Sequence, residues 1–129
     1  MYALGLNKKM KKLKILIPVY NDWQSLSELL RNIDNEIDNI DHEISVIIVD
    51  DGSTFDRQLD LDNLSNIKSI KIISMRENRG HARCIAAGLK YIFEKEEFHY
   101  VISMDGDGED RPEEIKEFIK SIEIMPEKT

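Results

Sequence analysis

The stretch ISVIIVDDGST (residues 44–54) joins six mostly apolar residues directly to a cluster of acidic and turn-forming residues. A short, nearly continuous β-branched run is typical of a strand that is buried on both faces of a parallel sheet. The cluster DDGST predicts a sharp turn where that strand ends. Because parallel sheets bind ligands beyond the carboxyl ends of their strands, this stretch predicts a fold class and the place of a site.

The same succession of strand, polar turn and helix recurs along the chain. We predict three further strands, over residues 14–19, 70–74 and 100–104. We also predict a helix over residues 23–37 and a short one over residues 57–66. The apolar helical stripes are Leu26, Leu29, Leu30, Ile33 and Ile37; Ala82, Ile85, Ala86, Leu89, Ile92 and Phe93; and Ile115, Phe118, Ile119 and Ile122. This alternation predicts an α/β fold, with a mostly parallel sheet and helices on both faces.

Length and composition indicate one globular domain. In a chain of 129 residues with 41% hydrophobic content, we expect a domain over residues 14–124, a flexible basic leader over residues 1–13 and a tail over residues 125–129. The net charge of −7 disfavours a nucleic-acid partner. The single cysteine, Cys84, excludes an internal disulfide and favours a cytoplasmic location. The lysines of the leader leave open peripheral binding to the inner face of a membrane.

The sequence DGDGED (residues 105–110) follows the last predicted strand and offers several carboxylates close together. Asp105, Asp107 and Glu109 would supply the hard oxygen ligands that suit Mg²⁺ or Mn²⁺. Gly106 lets a bulky ligand approach the backbone closely. Since Mg²⁺ usually keeps only one or two protein carboxylates and adds substrate phosphates, this pattern favours a diphosphate site. The alternative is an acidic turn without a ligand.

The other predicted strand ends carry polar or aromatic side chains, each with two interpretations. In the pair Asp50 and Asp51, a carboxylate either caps the following turn or accepts an N–H group of a nucleotide base. Tyr20, after Pro18 at the strand exit, either packs in the core or presents its ring to a base. Arg79 and Arg83, at a predicted helix start, either are solvated or meet phosphate oxygens. The three histidines show no metal-ligand spacing, and we assign them no role.

Four motifs in order resemble the family 2 glycosyltransferases. They are IPVYN (residues 17–21), IVDDGST (48–54), NRG (78–80) and MDGDGEDRPE (104–113). The nucleotide-binding half of that family has a Rossmann-like α/β fold of the GT-A type, so the resemblance implies a truncated GT-A sheet here. The chain is most similar to the polyprenyl-phosphate branch, which includes the dolichyl-phosphate mannosyltransferases. That branch usually has glutamine where this chain has Glu109, so the detail of the metal site is the least transferable part.

The resemblance implies transfer of a sugar from a UDP- or GDP-sugar donor to an acceptor such as polyprenyl phosphate or a glycan. It implies a divalent metal, Mg²⁺ or Mn²⁺, on the donor's diphosphate. The implied nucleotide contacts are Pro18, Tyr20, Asp22, Asp51, Arg79, Asp105 and Gly106, and the implied metal ligands are Asp105, Asp107 and Glu109. Asp107 would be the most direct ligand. Members of this family continue well beyond this length, and we expect the catalytic base beyond Thr129.

Two other classes of protein share some of these features. A non-catalytic or truncated module would bind the sugar nucleotide without turnover, and the sequence alone does not separate it from an enzyme. A receiver domain of a response regulator also carries an acidic pair after a strand. However, Asp50 and Asp51 follow the second predicted strand rather than the first, and too few residues follow Asp105 for the remaining strands. The receiver interpretation is therefore the weaker one.

Overall fold

Four parallel strands form one sheet in the order β3-β2-β1-β4, as seen in a computed structural model that describes residues 10–106 and 111–124. The elements are β1 Lys12–Val19, α1 Trp23–Glu36, β2 Glu43–Asp50, β3 Ile70–Ser74, α2 His81–Lys95, β4 Tyr100–Ser103 and α3 Glu113–Ile124. The predicted α/β fold with a parallel sheet is confirmed. Within the described ranges, no helix combines the length and apolar content that crossing a bilayer requires.

Strand β1 lies between β2 and β4, and seven of its eight residues are buried. It begins at Lys12, two residues earlier than predicted, and Leu13 is only 1% exposed, so these residues belong to the sheet rather than to a leader. Its register runs from Lys12 opposite Glu43 to Val19 opposite Asp50. The carboxyl ends of β1 and β2 are therefore level, and the turns that follow them lie side by side.

Helices cover both faces of the sheet, as predicted. Ile15 and Ile17 of β1 face a core that α1 and α3 complete, for example with Leu30 and Ile115. Leu16, between them in the strand, faces a second core that α2 completes. This alternation follows from the pleat of a strand, which sends successive side chains to opposite faces. A continuous apolar strand is thus explained by helices above and below it.

The buried face of α2 differs from the predicted stripe. Of the predicted stripe, Ile92 is buried and Ile85 and Leu89 are partly buried against the core, whereas Ala82, Ala86 and Phe93 are exposed. The helix also buries Cys84 and Gly88, which the stripe did not include. The reason is that the helix approaches the sheet closely at its glycine, which an apolar-periodicity argument does not weigh. A Cβ atom at that position would lie only 2.4 Å from a side-chain atom of Leu16.

The predicted helix over residues 57–66 is wrong, because this segment is irregular. Asp34 of α1, only 4% exposed, accepts hydrogen bonds from the backbone N–H groups of residues 65–67 at 2.8–3.1 Å. Asn63 adopts a positive φ of 64°, which a helix does not allow. The backbone donors that helix formation needs are thus occupied by a carboxylate distant in sequence, and such tertiary contacts override local periodicity.

Candidate functional site

The turns after β1, β2 and β4 and the start of α2 enclose one cleft of about 520 Å³ at the carboxyl edge of the sheet. The cleft is lined by Pro18, Val19, Tyr20, Asp22, Asp51, Asn78, Gly80, His81, Cys84, Asp105 and Gly106. Six of the residues proposed from the sequence are among them: Pro18, Tyr20, Asp22, Asp51, Asp105 and Gly106. Residues that are up to 88 positions apart in the sequence therefore meet at one edge, as Pro18 and Gly106 do.

The turns after β1 and β2 are joined into one unit by Asn21. Its backbone has a positive φ of 62°, and its Oδ1 accepts the N–H groups of Thr54 and Phe55, each at 2.8 Å. In return, the Asn21 N–H donates to Ser53 Oγ at 2.8 Å. Asp50 completes the turn by accepting the Ser53 N–H at 2.9 Å. These contacts fix the backbone from which the cleft residues project.

Gly52 places the turn after β2 against the turn that precedes α2. Its φ is +73°, in the left-handed region that favours glycine. A Cβ atom there would lie 2.4 Å from the backbone nitrogen of Asn78 and 2.5 Å from the carbonyl carbon of Glu77. Glycine is therefore required at residue 52 for two reasons, the backbone angle and the lack of space for a side chain.

Asp51 connects the same two turns through its side chain. It is 5% exposed, its Oδ1 accepts the Arg79 N–H at 2.9 Å, and its Oδ2 accepts the Gly80 N–H at 3.1 Å. The capping of the turn, expected from one member of the pair, is performed by Asp50. A carboxylate offers about four acceptor positions, so Asp51 keeps the capacity to accept a hydrogen bond from a ligand.

Tyr20 and Asp22 lie on the β1 side of the cleft. The side chain of Tyr20 is not packed in the core, because the residue is 48% exposed, and it lines the cleft next to the buried Pro18. Asp22 is the N-cap of α1 and accepts the Ser25 N–H at 3.1 Å. The aromatic ring is thus open to a ligand, whereas the neighbouring carboxylate also has a structural role.

Arg79 contributes its backbone rather than its side chain to the site. Its guanidinium is half-exposed, lies 2.6 Å from Glu77 Oε1, and is not part of the cleft lining. Arg83 on α2 is exposed and also lies outside the lining. A phosphate contact by Arg79 remains a prediction that would require its side chain to leave Glu77.

Asp105 and His81 face each other across the cleft. Asp105 follows β4 with its side chain 45% exposed, and its Oδ1 lies 3.1 Å from His81 Nε2. Gly106 brings this turn close to β1, since a Cβ atom there would lie 3.3 Å from the carbonyl oxygen of Pro18. Sequence reasoning assigned His81 no role. His81 directly follows the NRG motif, at a predicted helix start, and this position was the signal that could have identified it.

The metal site proposed from the sequence is described only in part. Asp107 and Glu109 lie outside the described residues. Within residues 10–106 and 111–124, no three His, Cys, Asp or Glu side chains form a cluster that holds a metal. Asp105 is nevertheless a half-exposed oxygen ligand in the cleft. This donor chemistry fits Mg²⁺ or Mn²⁺, because these ions need only one or two protein carboxylates when substrate phosphates complete their shell.

Cys84 lines the cleft as a small packed side chain. It is fully buried, and its thiol donates to the carbonyl oxygen of Val49 at 3.4 Å. Burial raises the pKa of the Cys84 thiol to about 12, and the charges of Asp51 and Asp50 act in the same direction. A thiol with this pKa is not a nucleophile at neutral pH.

A parallel sheet with helices on both faces and a cleft at the strand ends is typical of doubly wound α/β folds, to which the GT-A glycosyltransferases belong. Residues 14–127 match the model of the family described as Glycosyl transferase family 2, and the chain belongs to this family. The resemblance noted from four motifs is thereby confirmed.

Two curated relatives are undecaprenyl-phosphate 4-deoxy-4-formamido-L-arabinose transferases. The protein from Pseudomonas syringae pv. syringae (strain B728a) is 35% identical over 115 residues, which are 88% of this chain and 33% of the relative. The protein from Proteus mirabilis (strain HI4320) is 31% identical over 118 residues, 90% of this chain and 35% of the relative. This chain thus spans about a third of the length of the curated relatives it matches.

Solved structures of S. aureus TarS, residues 1–349, have a similar fold. One superposes with a TM-score of 0.62 at 25% identity, covering 86% of this chain and 32% of TarS 1–349. A second, in complex with UDP-GlcNAc, gives a TM-score of 0.63 at 25% identity, covering 86% of this chain and 31% of that one.

Proposed function

We propose that this chain forms the donor-binding part of an enzyme that transfers a sugar from a nucleoside-diphosphate sugar to polyprenyl phosphate. The observation that carries the proposal is the single cleft in which an open tyrosine ring, Asp51 and the half-exposed Asp105 meet. The UDP-GlcNAc complex of TarS supports a nucleotide-sugar donor. The names of the curated relatives support an undecaprenyl-phosphate acceptor, and such an acceptor would bring the protein to the inner face of a membrane.

The residues of this chain would bind and orient the donor. Tyr20 presents a ring on which a base can stack, and Asp51 accepts an N–H group of that base, held in place by two backbone donors. Asp105, with Asp107 outside the described residues, would hold Mg²⁺ or Mn²⁺. The metal would neutralise charge that develops on the leaving diphosphate when the acceptor oxygen attacks the anomeric carbon.

Calorimetry with UDP and GDP, each titrated with MnCl₂ and again with a chelator, tests this proposal. We expect one of the two nucleotides to bind in the presence of metal and to lose most of its affinity without it. Asp105→Ala and Asp107→Ala should abolish the metal-dependent part of the affinity, because each removes an oxygen ligand. The matched control is Asp41→Ala, which removes an exposed aspartate before β2. Unchanged metal dependence in both cleft variants would argue strongly against the proposal.

A further inference from the structure

The acidic side chains of the cleft would repel a diphosphate, and one other side chain of the cleft can offset this repulsion. Among the described lining residues, three are carboxylates, namely Asp22, Asp51 and Asp105, and His81 is the one side chain able to carry a positive charge. A diphosphate entering this cleft would be repelled by the carboxylates. The side chain of Arg79, which the sequence suggested for phosphate contact, pairs with Glu77 instead.

His81 lies where a phosphate beside Asp105 would meet it. It is the first residue of α2, and its side chain is 60% exposed. Its N-cap, Gly80, provides no side-chain hydrogen bond, and the Gly80 N–H donates to Asp51. The imidazole Nε2 lies 3.1 Å from Asp105 Oδ1, so it contacts the carboxylate to which the proposed function assigns the metal.

We infer that His81 exchanges partners when the donor binds. In the empty cleft it holds the carboxylate of Asp105. When a divalent cation takes that carboxylate, the imidazole turns to the diphosphate and donates a hydrogen bond to a phosphate oxygen. His81 therefore competes with the metal in the absence of nucleotide and cooperates with it in the presence of nucleotide. This inference rests on the proposed function and assigns a nucleotide-binding residue within the same cleft.

The two roles separate in titrations of the 129-residue chain with Mn²⁺ alone and with UDP at saturating Mn²⁺. His81→Ala should bind Mn²⁺ alone at least as tightly as the unaltered protein, because a competitor for Asp105 is gone. The same variant should bind UDP about tenfold more weakly, since a hydrogen bond to a charged group is lost. His81→Gln retains an N–H donor and should recover part of that loss. Lys90→Ala, which removes an exposed cation from the same helix, is the matched control and should leave both affinities unchanged.

Each outcome bears on one proposal or on both. GDP replaces UDP in these titrations if only GDP binds. Unaltered protein that binds neither nucleotide with metal would overturn the proposed function and this inference together. Normal UDP binding that His81→Ala leaves unchanged would overturn this inference alone. Equal weakening of Mn²⁺ and UDP binding in His81→Ala would also overturn it, because the imidazole would then be a metal ligand rather than a phosphate contact. Because His81 is largely exposed, thermal unfolding of both variants should stay close to that of the unaltered protein.

Discussion

At the scale of single residues, Asp51 has a structural role that can be measured without any ligand. It is buried and accepts the N–H groups of Arg79 and Gly80, so Asp51→Ala leaves two donors without their partner. We expect a loss of about 2–4 kcal/mol in the free energy of unfolding. Asp51→Asn keeps one acceptor oxygen and should lose less. Urea denaturation provides the measurement.

Asp41 offers a matched control for this prediction, because it is an exposed aspartate outside the cleft lining. Asp41→Ala should change the free energy of unfolding by no more than about 0.5 kcal/mol. If Asp51→Ala were as mild as its control, the hydrogen bonds between Asp51 and the α2 start would not contribute to stability as described.

Gly52 and Gly80 both have a positive φ angle, but only Gly52 also lacks space for a side chain. Substitutions at the two positions therefore distinguish the cost of backbone strain from the cost of a steric clash. Gly52→Ala meets both penalties, since its Cβ would lie 2.4 Å from the backbone nitrogen of Asn78. At Gly80 the φ is +95° but nothing lies within 4 Å of an added Cβ, so only the backbone penalty of about 1–2 kcal/mol applies. We expect Gly52→Ala to be clearly more destabilising than Gly80→Ala in thermal or urea unfolding. Equal effects would show that the close contact of Gly52 is relaxed at little cost.

The sequence predicted most of the cleft lining because motif residues at strand ends converge in any parallel sheet. It did not predict which aspartate of the pair caps the turn, since Asp50 and Asp51 are identical side chains whose hydrogen-bond partners depend on the turn geometry. It also missed His81, because a single histidine has no spacing pattern. Its proximity to Asp105 exists only once β4 and α2 are placed.

At the scale of secondary-structure elements, the contact between α2 and the sheet depends on Gly88. An alanine in an exposed helix position normally stabilises by about 1 kcal/mol relative to glycine. At residue 88 the added Cβ would lie 2.4 Å from Leu16 and 2.8 Å from Val49, so the helix must shift. We expect Gly88→Ala to destabilise by about 1–3 kcal/mol in urea denaturation.

The opposite substitution at a solvent-facing position of the same helix is the control. Ala86→Gly should cost only the helix-propensity difference of about 1 kcal/mol. A Gly88→Ala variant more stable than the unaltered protein would contradict the close packing of α2 on β1 and β2.

The secondary-structure elements also show which predictions from local sequence patterns were confirmed and which were wrong. The strands and the helices α1 and α3 were predicted well, because their apolar residues are buried at the expected period. The segment over residues 57–66 has leucines at helical spacing, but the carboxylate of Asp34 accepts the backbone N–H groups of residues 65–67 at its end. The predicted apolar stripe of α2 is wrong at Phe93, which is exposed. Its ring packs edge-on against that of Phe98, with 5.0 Å between the ring centroids.

At the scale of the whole molecule, an ion cluster around the buried carboxylate of Glu96 links three parts of the fold. Glu96, after α2, lies 3.2 Å from Lys14 of β1 and 2.7 Å from Lys71 of β3, and its side chain is 6% exposed. The hydrogen bond from Lys71 lowers the pKa of Glu96 below its ordinary value of 4.5, with Lys14 acting in the same direction. The unfolded chain therefore binds a proton at higher pH than the folded chain. The stabilisation is complete above about pH 4.5 and is lost as the pH falls through the lower folded-state pKa.

Glu96→Gln tests this cluster. It leaves Lys14 buried beside a neutral amide and should cost about 3 kcal/mol at pH 7. It should also reduce the loss of stability as the pH falls below about 4.5, because the carboxylate that takes up a proton there is gone. Glu97→Gln, one residue away but with an 86% exposed side chain, should have little effect at pH 7. Parallel pH profiles for the unaltered protein and Glu96→Gln would contradict the assignment.

The central claim is that the ends of β1, β2 and β4 and the start of α2 form one metal-dependent nucleotide site. Paramagnetic broadening by Mn²⁺ in the presence of UDP, with Mg²⁺ as the diamagnetic reference, tests it most directly in an amide NMR spectrum. We predict broadening of the amide signals of Tyr20, Asp51, His81 and Gly106, with those of Lys12 and Glu43, at the opposite edge of the sheet, unaffected. Broadening that spares the cleft amides, or that centres on the opposite edge, would contradict the account.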